Sequence, residues 1–74
     1  MSKLPRPTGN RLVAALERAG FRTVRIRGSH YFLQHPSGRA TVVPVHSGET
    51  IGPGLLKKIL IGCDLSAQRL EELL

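Results

Sequence analysis

Apolar positions along the chain follow two kinds of spacing. In the segment GNRLVAALERAG they recur at helical intervals, so Leu12, Val13, Leu16 and Ala19 share one face while Arg11, Ala14, Glu17 and Arg18 point more outward. Thr8 stands where a cap is needed, and Gly20 follows where the left-handed stop conformation is cheapest. This predicts a first helix whose apolar stripe serves the core. From Phe21 the pattern changes to alternation. Residues 21–27 (FRTVRIR) predict a strand, supported by the β-branched Thr23, Val24 and Ile26. Residues 30–35 (HYFLQH) predict a second strand and residues 39–45 (RATVVPV) a third. Pro44 has no N–H for a ladder, so the third strand lies at an edge or ends there. Pro36-Ser37-Gly38 supplies the turn between the second and third strands. After the polar loop HSGET, the segment IGPGLLKKILIGCD returns to helical spacing, with Pro53 suited to the first helical position. Its predicted buried stripe is Leu55, Leu56, Ile59 and Leu60, with Lys57 and Lys58 off it and Gly62 as the stop. Ser66 can cap a short terminal helix, AQRLEELL, whose Leu70, Leu73 and Leu74 are free to pack on the body or on a partner.

The first two strands are separated only by Gly28-Ser29. A two-residue loop with Gly at its first central position fits a tight hairpin, because φ is positive there. The flanking residues then pair across the hairpin: Arg27 with His30, Ile26 with Tyr31, Arg25 with Phe32 and Val24 with Leu33. Alternation puts Val24, Ile26, Tyr31 and Leu33 on a core face, and Thr23, Arg25, Arg27, His30, Phe32 and Gln34 on the other. The loop closure between His35 and Ala40 leaves open which of Val42 and Val43 faces the core. The expected fold class is α+β: a two-layer α-β-β-β-α arrangement with a short C-terminal helix, helices on one sheet face and the other face open.

Length and charge narrow the function. A chain of 74 residues forms one domain, 1–74, with one small core. At that size only about 60% of the unfolded surface is buried, which favours a shallow surface site over a deep pocket. Eleven Lys and Arg against five Asp and Glu give a formal +6 and a pI near 10.8. Such a balance points to a polyanion or an acidic protein partner, without separating DNA, RNA and protein. The single cysteine, Cys63, excludes an internal disulfide and fits a reducing compartment. No run approaches the ~20 apolar residues of a membrane span, and MSKLPRPTGNR carries no signal-peptide apolar segment. The expected location is the cytoplasm.

The residues that can carry chemistry are His30, His35 and His46. Imidazole transfers protons in both directions near neutral pH. Cleavage of RNA needs little more: a base for the 2′-hydroxyl, an acid for the departing 5′ oxygen and cations for the charge on phosphorus. The carboxylates Glu17, Glu49, Asp64, Glu71 and Glu72 are scattered over separate elements, unlike the paired sets of two-metal nucleases, so no metal or other cofactor is expected. His30, placed beside Arg27 by the hairpin, is the first candidate, as general base or as phosphate contact. His35 falls on the core-side parity next to Pro36, where a structural role is expected. His46 is the second candidate, either a helper acid or a loop hydrogen bonder. Gly28 and Ser29 can present backbone N–H groups to a phosphate or can simply form the turn. Arg25, Arg27, Arg39, Lys57 and Lys58, with Lys3 and Arg6, can follow a phosphate backbone, and Phe32 can stack on a base.

Five motifs occur in a fixed order: Ala19-Gly20-Phe21, Gly28-Ser29-His30, His35-Pro36-Ser37-Gly38-Arg39, Val43-Pro44-Val45-His46, and Pro53-Gly54-Leu55 running to Ile59-Leu60. Together, over about residues 4–65, they resemble the HicA family, the ribonuclease half of HicA–HicB toxin–antitoxin pairs. That resemblance implies a double-stranded RNA-binding-domain-like fold and metal-independent endoribonuclease cleavage of mRNA as single-stranded RNA. It also implies His30 as the catalytic residue and an acidic HicB-like antitoxin covering the active face. The alternative on the same fold is an RNA-binding module without catalysis. Two departures stand out. Residues 66–74 extend past the usual family end, and Tyr31 occupies a position where a second histidine is common, leaving His30 alone or with His46 as helper.

Overall fold

A computed structural model describes residues 4–74; Lys3, considered above for a phosphate path, lies outside them. The elements run α1 (Gly9–Arg18), β1 (Arg22–Arg27), β2 (His30–Gln34), β3 (Ala40–Pro44), α2 (Pro53–Cys63) and α3 (Ala67–Leu73). The strands form one antiparallel sheet in the order β1-β2-β3, so β2 is central. Helices α1 and α2 pack against the sheet on the face that buries Leu33 and Val43. The expected helix, three strands and helix are all present, with α3 following as a third helix. Val43, not Val42, faces the core.

Local chemistry accounts for the helix boundaries. Thr8 Oγ1 accepts the Arg11 N–H at 3.3 Å and caps α1. At the other end Gly20 takes φ +102°, the Phe21 N–H donates to the Leu16 carbonyl at 3.0 Å, and the Gly20 N–H donates to Glu17 at 3.0 Å. These two bonds satisfy carbonyls that the helix end would leave unpaired. Helix α2 departs from expectation at its end. It passes through Gly62 and closes on Asp64, at φ 56°, with the Leu65 N–H on the Leu60 carbonyl at 2.9 Å. The reason is the stripe: Leu56, Ile59, Leu60 and Cys63 are the buried residues of α2, and this i, i+3, i+4, i+7 set is complete only if the helix includes Cys63. Leu55, expected in the stripe, lies off it and is 41% exposed.

Helix α3 is part of the core. Ser66 Oγ accepts the Arg69 N–H at 3.0 Å as its cap. Leu70 and Leu73 are buried against the same cluster as Leu12 and Leu16, and the Arg18 guanidinium donates to the Leu73 carbonyl at 2.6 Å. The terminal leucines thus close one side of α1. No helix among the described residues is long and apolar enough to cross a membrane.

Candidate active site

The β1–β2 hairpin sets up the open sheet face. Arg27 pairs with His30, Ile26 with Tyr31 and Arg25 with Phe32, in the expected register. Gly28, at φ +60°, makes the turn with no neighbour within 4 Å of where a Cβ would stand. Beyond Arg25 the register shifts. A β-bulge at Val24 leaves that residue extra, and Leu33 is opposite Thr23. Two expectations are corrected by this insertion. Thr23 lies on the helix side, where its hydroxyl donates to Glu17 at 3.3 Å. Val24 lies on the open side, 53% exposed, beside Phe32 and Val42. Ile26 keeps core-side parity but is 55% exposed, because the helical layer does not cover it.

His30 opens β2 at the end of the sheet where the turn lies. Its partner on β3 is Pro44, and the next residue, Val45, donates its N–H to the Ser29 carbonyl at 2.7 Å. That bond ties the chain leading to His46 to the Gly28-Ser29 turn, so His46 follows at the same end of the sheet as His30. Both imidazoles are exposed, and neither has a side-chain hydrogen-bond partner among the described residues. The start of α1 is clamped to the same place. A Cβ on Gly9 would stand 2.4 Å from the Pro44 carbonyl oxygen and 2.8 Å from Val45 Cα. Thr8 also bridges Thr50, and the Ile51 N–H donates to the Pro7 carbonyl at 2.8 Å. The loop carrying His46 is therefore held from both sides.

His35 has the structural role expected of it. Its Nδ1 accepts the Ser37 N–H at 3.0 Å and lies 2.9 Å from Ser37 Oγ, which organises the Pro36-Ser37-Gly38 turn. The ring packs on Phe21, with centroids 5.0 Å apart, and its Nε2 would be 3.0 Å from a Cβ on Gly20. With Nδ1 accepting, the neutral ring carries its proton on Nε2.

The other candidates divide. Arg25, Arg27, Gly28, Ser29, His30 and Phe32 come together on the open face or its turn, and the Arg25 guanidinium lies over the Phe32 ring, 5.6 Å from its centroid. Arg39 stands at the far end of β3, in an exposed 3.4 Å ion pair with Asp64. Lys57 and Lys58 lie on α2, in the helical layer. Sequence reasoning missed Arg22, which pairs with Gln34 and so joins the open face, and left Val42 unplaced. Arg22 carried its own signal: unbroken alternation would have put an arginine on the core face beside Val24. Cys63 is buried, and burial pushes its thiol pKa up, partly offset by a hydrogen bond with Thr41 and by Arg39.

The class this arrangement falls into is that of toxins from bacterial toxin–antitoxin systems. The family model for the HicA toxin of bacterial toxin-antitoxin systems matches residues 9–65 of the 74. The chain belongs to the HicA toxin family, which is generally one of ribonuclease toxins and implies an antitoxin partner. A search of curated proteins finds no match.

Proposed function

We propose that the chain is a metal-independent endoribonuclease that cuts mRNA, with His30 as general acid/base and His46 as its helper. The observation that carries this reading is an exposed imidazole, free of side-chain partners, set directly across a hairpin from Arg27 in a chain of this family. In the reaction His30 takes the proton of the 2′-hydroxyl. The 2′ oxygen then bonds to the adjacent phosphorus while the bond to the 5′ oxygen breaks, and His46 or water protonates that leaving oxygen. Arg25 and Arg27, on the same sheet face as His30, are the cations that offset charge developing on the phosphoryl oxygens in this reading. The Gly28-Ser29 turn, Arg39, Lys57 and Lys58 contribute contacts along the strand. A HicB-like acidic antitoxin inhibits by covering the arginine-bearing face.

The test is incubation of the free chain with labelled single-stranded RNA in EDTA, beside His30→Ala. Cutting by the parent and not by the variant is the expected result. A 2′-deoxy nucleotide at the cut site should stop it, and cleavage of an all-deoxy strand would sink the mechanism. Binding without cutting by either protein, weakening with salt at a slope of about −0.7 per neutralised phosphate, would instead identify a non-catalytic RNA-binding module.

A further inference from the structure

The bulge at Val24 creates a feature that the cleavage reading does not use. Exposed Val24 and Val42 flank the half-buried Phe32 in an apolar patch on a sheet face whose arginines lie along β1. Phe32 is central: Arg25 is opposite it on β1 and Val42 opposite it on β3. A depression of about 200 Å³ opens against the ring, walled by Val24, Phe32 and Val42 with Gln34 and Thr41 at its margin; Arg25 is not among its walls. Arg22, Arg25 and Arg27 line the face along β1, and no strand carries an acidic residue.

We infer that this depression is a binding site for one unpaired nucleobase of the RNA, next to the nucleotide whose phosphate meets His30. The inference rests on the ribonuclease reading for the identity of the strand. Three observations favour a base over any other occupant. The patch is continuous with His30, which lies two residues, or about 7 Å, along β2 from Phe32 on the same side. Its walls combine an aromatic ring and two branched aliphatic groups, the surfaces on which bases stack without strong sequence preference. Beside it Arg22, Arg25 and Arg27 run along β1, so a backbone following that strand would lie over guanidinium groups while a base turned inward. Gln34 and Thr41 both line the depression, but the Thr41 hydroxyl is engaged with Cys63, so Gln34, whose amide both donates and accepts, is the residue that would discriminate among bases. A base in a duplex cannot enter, so the substrate class is RNA unpaired beside the cut.

The test uses the full chain and a short RNA with 2′-O-methyl sugars throughout, which has no free 2′-hydroxyl and cannot be cut by this route. Its affinity is compared with that of the same sugar-phosphate strand lacking bases and with that of the duplex. The base-bearing single strand should bind roughly ten-fold more tightly or better, as expected from one or two base–aromatic stacks. In NMR spectra the Val24 and Val42 methyl groups and the Phe32 ring should shift on binding and show contacts to base protons. Phe32→Leu, which keeps apolar bulk but removes the π face, should lose most of the preference while retaining salt-dependent binding. Val42→Ala, at a half-exposed position, should weaken the preference without unfolding the chain. Equal affinity for the base-free strand, or shifts confined to the arginines and His30, would overturn the inference and leave the patch to a protein partner. Equal affinity for the duplex would overturn it too. Cleavage of unmodified RNA is scored separately. Base preference without cleavage would defeat the ribonuclease reading and keep the site, whereas cleavage without base preference would do the reverse.

Discussion

Gly9→Ala and Gly62→Ala are the same chemical change on two helices, and the structure gives them opposite signs. Helix propensity alone favours both, by up to about 1 kcal/mol each. At Gly62 the nearest atom to the new Cβ is the Ala40 carbonyl oxygen at 4.0 Å, an ordinary contact, so the propensity gain should survive. At Gly9 the new Cβ would meet the Pro44 carbonyl oxygen at 2.4 Å and Val45 Cα at 2.8 Å. Both neighbours are backbone and cannot swing aside as a side chain could. Ordinary contact begins at 3.4 Å, so α1 and the end of β3 must separate by about 1 Å. That separation loosens Leu12 and Leu16 against Val43, all buried. Overpacking of this kind costs about 1–3 kcal/mol, and it exceeds the small propensity gain at the first helical position. With about 4–8 °C per kcal/mol for a domain this small, Gly9→Ala should melt roughly 4–24 °C below the parent and Gly62→Ala up to about 8 °C above it. Thermal melts by circular dichroism, with urea midpoints at constant m-value, measure both. Because Pro44 is the β3 partner of His30, amide shifts at His30 and Val45 should accompany the loss in Gly9→Ala. A Gly9→Ala protein that melts at or above the parent would show that the close approach does not exist.

Other substitutions test other joints. Leu70→Ala should cost about 2–5 kcal/mol, since Leu70 is fully buried; a loss of unfolding free energy below about 1 kcal/mol in urea titration would mean that α3 does not belong to the core. Asp64→Gly should raise stability by up to about 1 kcal/mol, because a left-handed residue with a Cβ is strained by more than the exposed Arg39–Asp64 pair returns; a net loss in the melt would reverse that ranking. Cys63 has its thiol pKa raised by burial, so the unfolded chain ionises first. Its contribution is therefore full below the ordinary thiol value of 9.0 and is lost as pH climbs toward the raised folded value. Urea titrations should show stability falling above about pH 9 in the parent, with the Cys63→Ala variant falling less; identical slopes would contradict it. Alkylation of Cys63 should likewise be slow until the chain unfolds.

The parts of this fold legible from the chain were those fixed by local chemistry. Thr8, Gly20, Gly28 and Ser66 each sit where a cap or turn demands their type, and all four do what that type does. The hairpin register near Gly28 followed from a two-residue loop, and with it the pairing of Arg27 with His30. What escaped was set by nonlocal packing. A bulge depends on how β1 meets its neighbours, so alternation could not reveal Val24 turning outward, although Arg22 marked the place. Gly62 looked like a stop because a glycine ends many helices, yet the burial of Cys63 carried α2 one residue further. In the site, the pairing of His30 with Arg27 was legible from the chain, while the meeting of Gly9 with Pro44 and Val45 required α1 and the end of β3 to be brought together by the fold.

The sheet has only three strands, so β1 is an edge with unpaired N–H and C=O groups along its outer side. Such an edge is a template on which a second chain can add a strand and begin a growing ribbon. Here the edge is irregular and charged. The bulge at Val24 breaks its hydrogen-bonding rhythm, and Arg22, Arg25 and Arg27 would bring like charges together if two copies aligned. The irregularity that shapes the open face thus also guards a chain of 74 residues against self-association through β1.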